Sequence, residues 1–217
     1  MVFVSRRIKT IALYIKPYKK IVDVGCDHGY LILEAFENCH IDFAQAIDNK
    51  PMPLKVAINN ITKEGLSSKV VFTLSDGLTD VWDDVEVAII SGMGGFNIIS
   101  ILEKYTGNNI KRFILQANRN NYDLRKYIVS HNMDIVNEDI IYEDNKYYEI
   151  IICEPCECPK VYTNDELRYG PMLLKKRSEC FIEKMKEEKK RLLAIDYQSK
   201  DIKEKIYRID EIIENEN

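Results

Sequence analysis

The sequence predicts an α/β domain built on a mainly parallel sheet, followed by a helical segment of a different character. Short apolar runs alternate with amphipathic stretches through the first 130 residues, which is the pattern of βαβ units. Two extended runs then follow with only Glu143-Asp144-Asn145-Lys146 between them, the mark of a hairpin. Beyond Pro171 there is neither Gly nor Pro, and apolar residues recur in alternating steps of four and three.

Taken in order, residues 5–18 predict an amphipathic helix, because Ile8, Ile11, Ala12 and Ile15 fall on one face. Residues 20–25 read as a buried strand, 30–36 as a helix, 42–48 as a strand and 53–64 as a helix. Strands at 70–75 and 86–91, a helix at 96–104, a strand at 112–116 and a helix at 121–130 continue the alternation. The hairpin strands are expected around 135–142 and 147–153. Thr163 with Glu166 three residues on has the form of a capping box. From Leu174 a heptad seam runs through Ser178, Phe181, Met185, Glu188, Leu192, Ile195, Ser199, Ile202, Ile206, Ile209 and Ile213. Either one long dimerising helix or a hairpin turning near residues 196–200 fits this seam, with Ser199 an acceptable cap for the second helix. The expected division is residues 1–158 and residues 159–217.

Composition narrows the class. With 46% hydrophobic residues over 217, the chain has enough apolar material for a core and too much for disorder. No apolar run is long enough to span a membrane, so no membrane association is expected. Residues 1–10 lack the apolar stretch of an export signal, and six cysteines are then expected as thiols in the cytoplasm. Cys153, Cys156 and Cys158 cluster, but His28, His40 and His131 are scattered, so no metal site is expected. The net charge of −4 argues against nucleic acid only if the charges are evenly spread, and they are not. Residues 1–22 carry Arg6, Arg7, Lys9, Lys16, Lys19 and Lys20 with no acid, and residues 160–191 are basic again.

The strongest constellation is Asp23-Val24-Gly25-Cys26-Asp27-His28-Gly29-Tyr30 at the first strand-to-helix turn. A dinucleotide fingerprint requires glycine at 25, 27 and 30, where this chain has Gly25, Asp27 and Tyr30. Crowded carboxylates repel a pyrophosphate and suit a cation. Asp48 closes the second strand, placed to accept ribose hydroxyls, and Asp76-Gly77 follows the third, placed to bond an adenine amine or line its pocket. Taken singly, each of these is as well explained as a turn-forming residue. Three acidic strand ends on the edge where open α/β sheets bind ligands are harder to explain that way. The fourth strand ends in Ser91-Gly92-Met93-Gly94-Gly95, which lets backbone lie flat against a planar group, and the next in Gln116-Ala117-Asn118, whose amides suit the edge of a base.

At these motifs the chain resembles the bacterial tRNA (adenine-22-N1)-methyltransferases. The resemblance rests on SRRIKTIA from Ser5, DVGCDHGYL from Asp23, DNKPMPL from Asp48, SDGL from Ser75 and SGMGG from Ser91. QAN from Gln116, KYYEIII from Lys146 and RYGP from Arg168 extend it over nearly the whole chain. The family usually has Gln-Pro-Asn where Gln116-Ala117-Asn118 stands, and Ala in place of Gly29. The resemblance implies a class I Rossmann-like methyltransferase fold, with a seven-stranded mainly parallel sheet and an antiparallel last strand. It further implies a C-terminal helical coiled-coil domain, favouring the hairpin. S-adenosyl-L-methionine is the implied cofactor, and 1-methyladenosine in the D-stem region of tRNA the implied product.

The cofactor set expected is Arg7, Asp23, Gly25, Asp27, Gly29, Asp48, Asn49, Asp76, Gly77, Gly92 and Met93. The catalytic set is Asp27, His28, Tyr30 and Asn118, with Asp27 or His28 at the N6/N1 edge, Asn118 as hydrogen-bond partner and Tyr30 walling the base. A carboxylate there would offset the positive charge that methylation leaves on adenine. Structural readings compete: Asp27 as a helix cap, His28 as a satisfied polar residue, Tyr30 as a core aromatic. Arg6, Lys9, Lys16, Lys175, Lys176, Arg177 and Lys184 are the expected tRNA contacts, although such a run is also an ordinary solvated helix face. A monomer with no obligate protein partner is expected. Alternatives from the same residues are a methyltransferase for another RNA or a protein, and a non-catalytic coiled-coil adaptor.

Overall fold

The computed structural model describes residues 4–214; residues 1–3 and 215–217, the outermost ends of the two expected divisions and of the segment read for an export signal, lie outside it. Seven strands form one sheet: β1 Lys20–Val24, β2 Phe43–Asp48, β3 Val70–Leu74, β4 Val87–Met93, β5 Arg112–Ala117, β6 Met133–Glu143 and β7 Lys146–Pro155. Their order is β3-β2-β1-β4-β5-β7-β6. The first five strands pair in parallel, and β7 lies antiparallel between β5 and β6. Asp144 and Asn145 both take positive φ at the turn, the conformation a two-residue hairpin demands.

The inner parallel strands β1, β2, β4 and β5 are buried on both faces over most of their length, which is why they read as largely apolar runs rather than alternating, while in the edge strand β3 only Val70 is buried. Ile21, Ala44, Ala46, Ile89 and Ile114 face the helices α1 Arg6–Leu13, α2 Tyr30–Glu34 and α3 Pro51–Lys63. Val22, Val24, Ala88, Ile90 and Leu115 face α4 Gly95–Glu103 and α5 Asn121–Ser130 on the other side. Among the described residues, no helix is long and apolar enough to cross a membrane.

Three expectations of extent are corrected. The first helix covers Arg6–Leu13, not 5–18: Ser5 caps its start, and Pro17, if helical, would drive its ring into the carbonyl of Leu13. The helix at 30–36 continues through Ala35–Cys39 as a π-turn. The heptad seam does not start at Leu174, because α7 Pro171–Lys176 ends at Arg177, whose φ is 48°, and Ser178 caps a new helix.

The remaining helices are α6 Asn164–Tyr169, α8 Glu179–Leu193 and α9 Lys200–Glu214. Thr163 and Glu166 form the reciprocal capping box at the start of α6. α8 and α9 form a hairpin, and Ser199 accepts a hydrogen bond from the Ile202 N–H at 3.3 Å. Phe181, Met185, Ile209 and Ile212 are buried with Ile140 of β6, so the hairpin rests on the sheet instead of standing free. The expected division at residues 158 and 159 falls in the stretch between β7 and α6.

A buried ion cluster fastens this joint. Arg125 of α5 is 0% exposed and donates from Nε to Glu138 of β6 at 2.6 Å and from a terminal nitrogen to Glu149 of β7. Lys184 of α8 also binds Glu149, and Glu138 accepts the Met172 N–H at the start of α7 at 2.8 Å. Burial alone would push Glu149 up, but the charges of Lys184 and Arg125 outweigh it and hold the carboxyl at about 2.

Candidate active site

β1, β2 and β4 end side by side where the strand order reverses, the place at which open α/β sheets bind ligands. A cleft of about 400 Å³ opens there, bounded by Arg7, Asp23, Gly25 to His28, Tyr30, Asp48, Asn49, Gly92 and Met93. A second hollow of about 300 Å³ shares Gly25, Asp48, Asn49 and Met93 with it and extends to Asp76 and Gly77. Together they form one trench across the ends of four strands, β3, β2, β1 and β4. Gly25 takes φ +75°, a conformation that side chains with a Cβ rarely adopt, and a Cβ there would also displace the methyl of Met93.

Asp23 is buried at the centre of this trench. Burial, then the neighbouring Asp48 and Asp27, push its carboxyl up to about 7, with Arg7 opposing them. Asp48 accepts the Lys50 N–H at 2.9 Å and the Asp27 N–H at 3.4 Å, which ties the first turn to the second. Asp27 itself takes φ 46°, with a largely exposed carboxylate 3.5 Å from His28 Nε2. The His28 ring stacks on Tyr30 with centroids 5.4 Å apart. Asp76 is paired with Lys104, whose hydrogen bond and charge hold it below the usual carboxylate range.

The opposite wall is a relay of amides. A bulge at Gly92 interrupts the pairing of β4 with β5. Gln116 Oε1 accepts from Arg7 at 2.7 Å and from the Gly92 N–H at 3.2 Å. Gln116 Nε2 donates to Asn118 Oδ1 at 3.0 Å, and Asn118 Nδ2 donates to the Gly92 carbonyl at 2.8 Å. Arg7 also lies 5.3 Å from the centre of the Tyr148 ring. The Arg6 and Arg7 N–H groups, unpaired within their own helix, donate to Glu143 at the hairpin turn at 2.7 and 3.1 Å. Beyond Asn118 a groove of about 900 Å³ runs between the hairpin turn and α8, flanked by Arg119, Lys146, Tyr148, Lys184 and Arg191.

A family model described as TrmK, tRNA (adenine(22)-N(1))-methyltransferase, matches residues 21–217. The chain belongs to the TrmK family. A Bacillus subtilis tRNA (adenine(22)-N(1))-methyltransferase is 31% identical over 193 residues, covering 85% of this chain and 80% of that one. The Streptococcus pneumoniae protein Sp1610, solved with S-adenosyl-L-methionine, superposes with TM-score 0.90 at 33% identity, covering 97% of this chain and all (100%) of that one. Mycoplasma capricolum TrmK, solved with S-adenosyl-homocysteine, gives TM-score 0.80 at 28% identity over 97% and 96% of the two chains.

In this TrmK-family chain, most of the sequence-predicted cofactor residues and Asp27, His28 and Tyr30 gather around the trench. Gly29 is turned away from it, packed against Ala57 and Ile61 of α3. Asn118 lies on the groove, not in the trench, joined to it by its side-chain bond to the Gly92 carbonyl and by its backbone N–H on the Met93 carbonyl at 2.7 Å. Gln116, read alongside Asn118 as suited to a base edge, is 0% exposed and reaches no open surface. Of the expected RNA contacts, Arg6, Lys9, Lys16 and Lys175 are exposed. The other three bond within the chain: Lys176, itself also exposed, on the Glu138 carbonyl, Arg177 on the carbonyls of Ile212 and Ile213, and Lys184 on Glu149. Sequence reasoning missed Glu143, Tyr148, Arg119 and Lys146, of which only Lys146 and Tyr148 fall in a motif, KYYEIII, that assigned them no role; Arg191 closes the basic stretch 160–191 that the sequence did single out. Among the described residues, no three His, Cys, Asp or Glu side chains are grouped to hold a metal.

Proposed function

We infer that this chain transfers the methyl group of S-adenosyl-L-methionine to N1 of adenine 22 in tRNA. One observation carries the placement of that chemistry: a buried, ligand-seeking carboxyl, Asp23, lies at the strand-order reversal with Asp48 and Asp27 around it. Such a site fits a cationic amino acid headgroup and disfavours a phosphate. When bound, the cofactor supplies a methyl already activated on a sulfonium. Asp23 and the Gly25 turn are assigned to its aminoacyl end, and Asp48 with Asn49 to the ribose. The hollow at Asp76 and Gly77 takes the adenine, with Asp76 steadied by Lys104.

Adenine N1 carries a lone pair, so the protein has no proton to remove before attack. Its work is alignment and charge: Tyr30, stacked on His28, forms an aromatic wall, and the Asp27 carboxylate faces the positive charge that grows on the base. Asn118 has one Oδ1 lone pair left for the 6-amino group beside N1. A base inside a structured RNA must be extruded to reach this wall. The groove beyond Asn118 supplies the seat for the flanking strand, with Arg119, Lys146 and Arg191 at its rim, while α1 exposes Lys9 and Arg6, the latter bonded through its N–H to Glu143 at the hairpin turn. Phe181, Met185, Leu192, Ile209 and Ile213 of the α8–α9 seam pack together within the chain, which supports action as a monomer, and the free cysteines support a cytoplasmic location. Residues 1–158 are assigned to catalysis and 159–217 to the helical unit.

The test is incubation with methyl-labelled S-adenosylmethionine and tRNA, followed by nucleoside mapping. Label is expected as 1-methyladenosine at position 22 and is expected to vanish when that adenine is replaced. Label at another nucleotide, or in protein alone, refutes the assignment.

A further inference from the structure

We propose that Gln116 is a positioning residue for methyl transfer, acting through Asn118; the proposal rests on the reading that Asn118 faces the acceptor base. The amide relay has only one self-consistent orientation. Arg7 and the Gly92 N–H can only donate, so the Gln116 oxygen must face them. Its nitrogen therefore faces Asn118, whose oxygen must accept, and the Asn118 nitrogen is left to donate to the Gly92 carbonyl, which can only accept. Every rotamer and amide flip in the chain is fixed by the donors at one end and the acceptor at the other.

The placement of Gln116 makes this purposeful. It follows Phe113, Ile114 and Leu115 in β5, all buried, and is itself 0% exposed. Burying an amide among apolar side chains is unfavourable unless its polar atoms are paired, and an aliphatic residue would serve the core better. What the amide does instead is join three parts of the site: α1 through Arg7, the β4 bulge through Gly92, and the groove through Asn118. Asn118 is exposed and would otherwise swing freely; held at both ends, it presents one acceptor lone pair and one N–H to the groove.

The experiment compares Gln116→Glu, Asn118→Ala and their double variant by steady-state kinetics with tRNA, cofactor titration and thermal melting. Gln116→Glu keeps an acceptor for Arg7 and Gly92 but sets an oxygen against Asn118 Oδ1. The Asn118 amide must then flip and turn its own oxygen on the Gly92 carbonyl. Expected is a fall in kcat of about 10- to 100-fold, the scale of a misplaced reacting group. Cofactor affinity should be unchanged, and the double variant no slower than Asn118→Ala alone, because the two residues act as one unit. Additive losses, or wild-type kcat in Gln116→Glu, overturn the proposal. Gln116→Leu, which removes the donor without adding charge, gives the same kcat comparison should the buried Glu prevent folding. Wild-type turnover in Asn118→Ala overturns the reading of Asn118 itself, a result distinct from additivity.

Discussion

Asp23 has a carboxyl whose burial makes its charge expensive until something positive arrives. Its folded pKa of about 7 stands above the ordinary 3.8, so between those values the folded state holds a proton that the unfolded chain has released. Stability of the cofactor-free protein should accordingly fall as pH rises from about 4 to about 7. Cofactor affinity should rise across the upper part of the same window, because the ionised form is the one a cation selects. Asp23→Asn should remove both trends; melting curves and calorimetric titrations at stepped pH measure them. Wild-type pH dependence in that variant would assign the titration to another group. At this scale the sequence was readable where a residue's chemistry is local. Gly25 and Gly92 announce tight turns, and Asp48 announces a strand end. Gln116 did not announce itself, since nothing in Gln-Ala-Asn distinguishes an amide that reads a base from one that holds its neighbour.

Strands and helices were readable because each is apolar or amphipathic over its own length. Their ends were less so, as at Leu13 and Arg177, where a proline clash and a left-handed residue decide the boundary. The joint between the sheet and the terminal helices was not readable. Arg125, Glu138, Glu149 and Lys184 are scattered charges in sequence and one cluster in space. Removing the central cation leaves Glu138 buried without a cationic partner and Glu149 with Lys184 alone, so Arg125→Met should destabilise the fold by about 3–5 kcal/mol in urea titrations. Adding Glu138→Leu and Glu149→Leu to it should recover much of that loss. The depressed carboxyl of Glu149 contributes stability that is fully present above pH 4.5 and is lost as pH falls toward about 2. Acid titration of Glu149→Gln should lack that part of the loss; an unchanged acid limb would place it elsewhere.

For the molecule as a whole, the charge of −4 is an average over an acidic cofactor trench and basic surfaces at its margins. The trench was legible because its residues fall at successive strand ends. The groove was not, because Arg119, Lys146 and Arg191 belong to three separate elements and only the fold assembles them. Arg177 holds the end of α9, so reversing its charge would report on folding as well as on RNA binding. Arg119→Glu and Lys146→Glu are the cleaner pair. Each should weaken tRNA binding and lower the slope of log affinity against log salt by about 1, with cofactor binding unchanged. Unaltered slopes would place the RNA elsewhere. Glu143 brings in the dimension of time. The first turn of α1 has its N–H groups capped by a carboxylate 137 residues downstream, on the sheet's final hairpin. A ribosome adding about 5–20 residues per second needs on the order of 10 s to make that stretch. The N–H groups of Arg6 and Arg7 thus wait for their cap until the hairpin has been made, while Gln116, already synthesised, can hold the Arg7 side chain. A fragment ending before residue 143 would contain every strand end of the trench and still lack the carboxylate that caps α1.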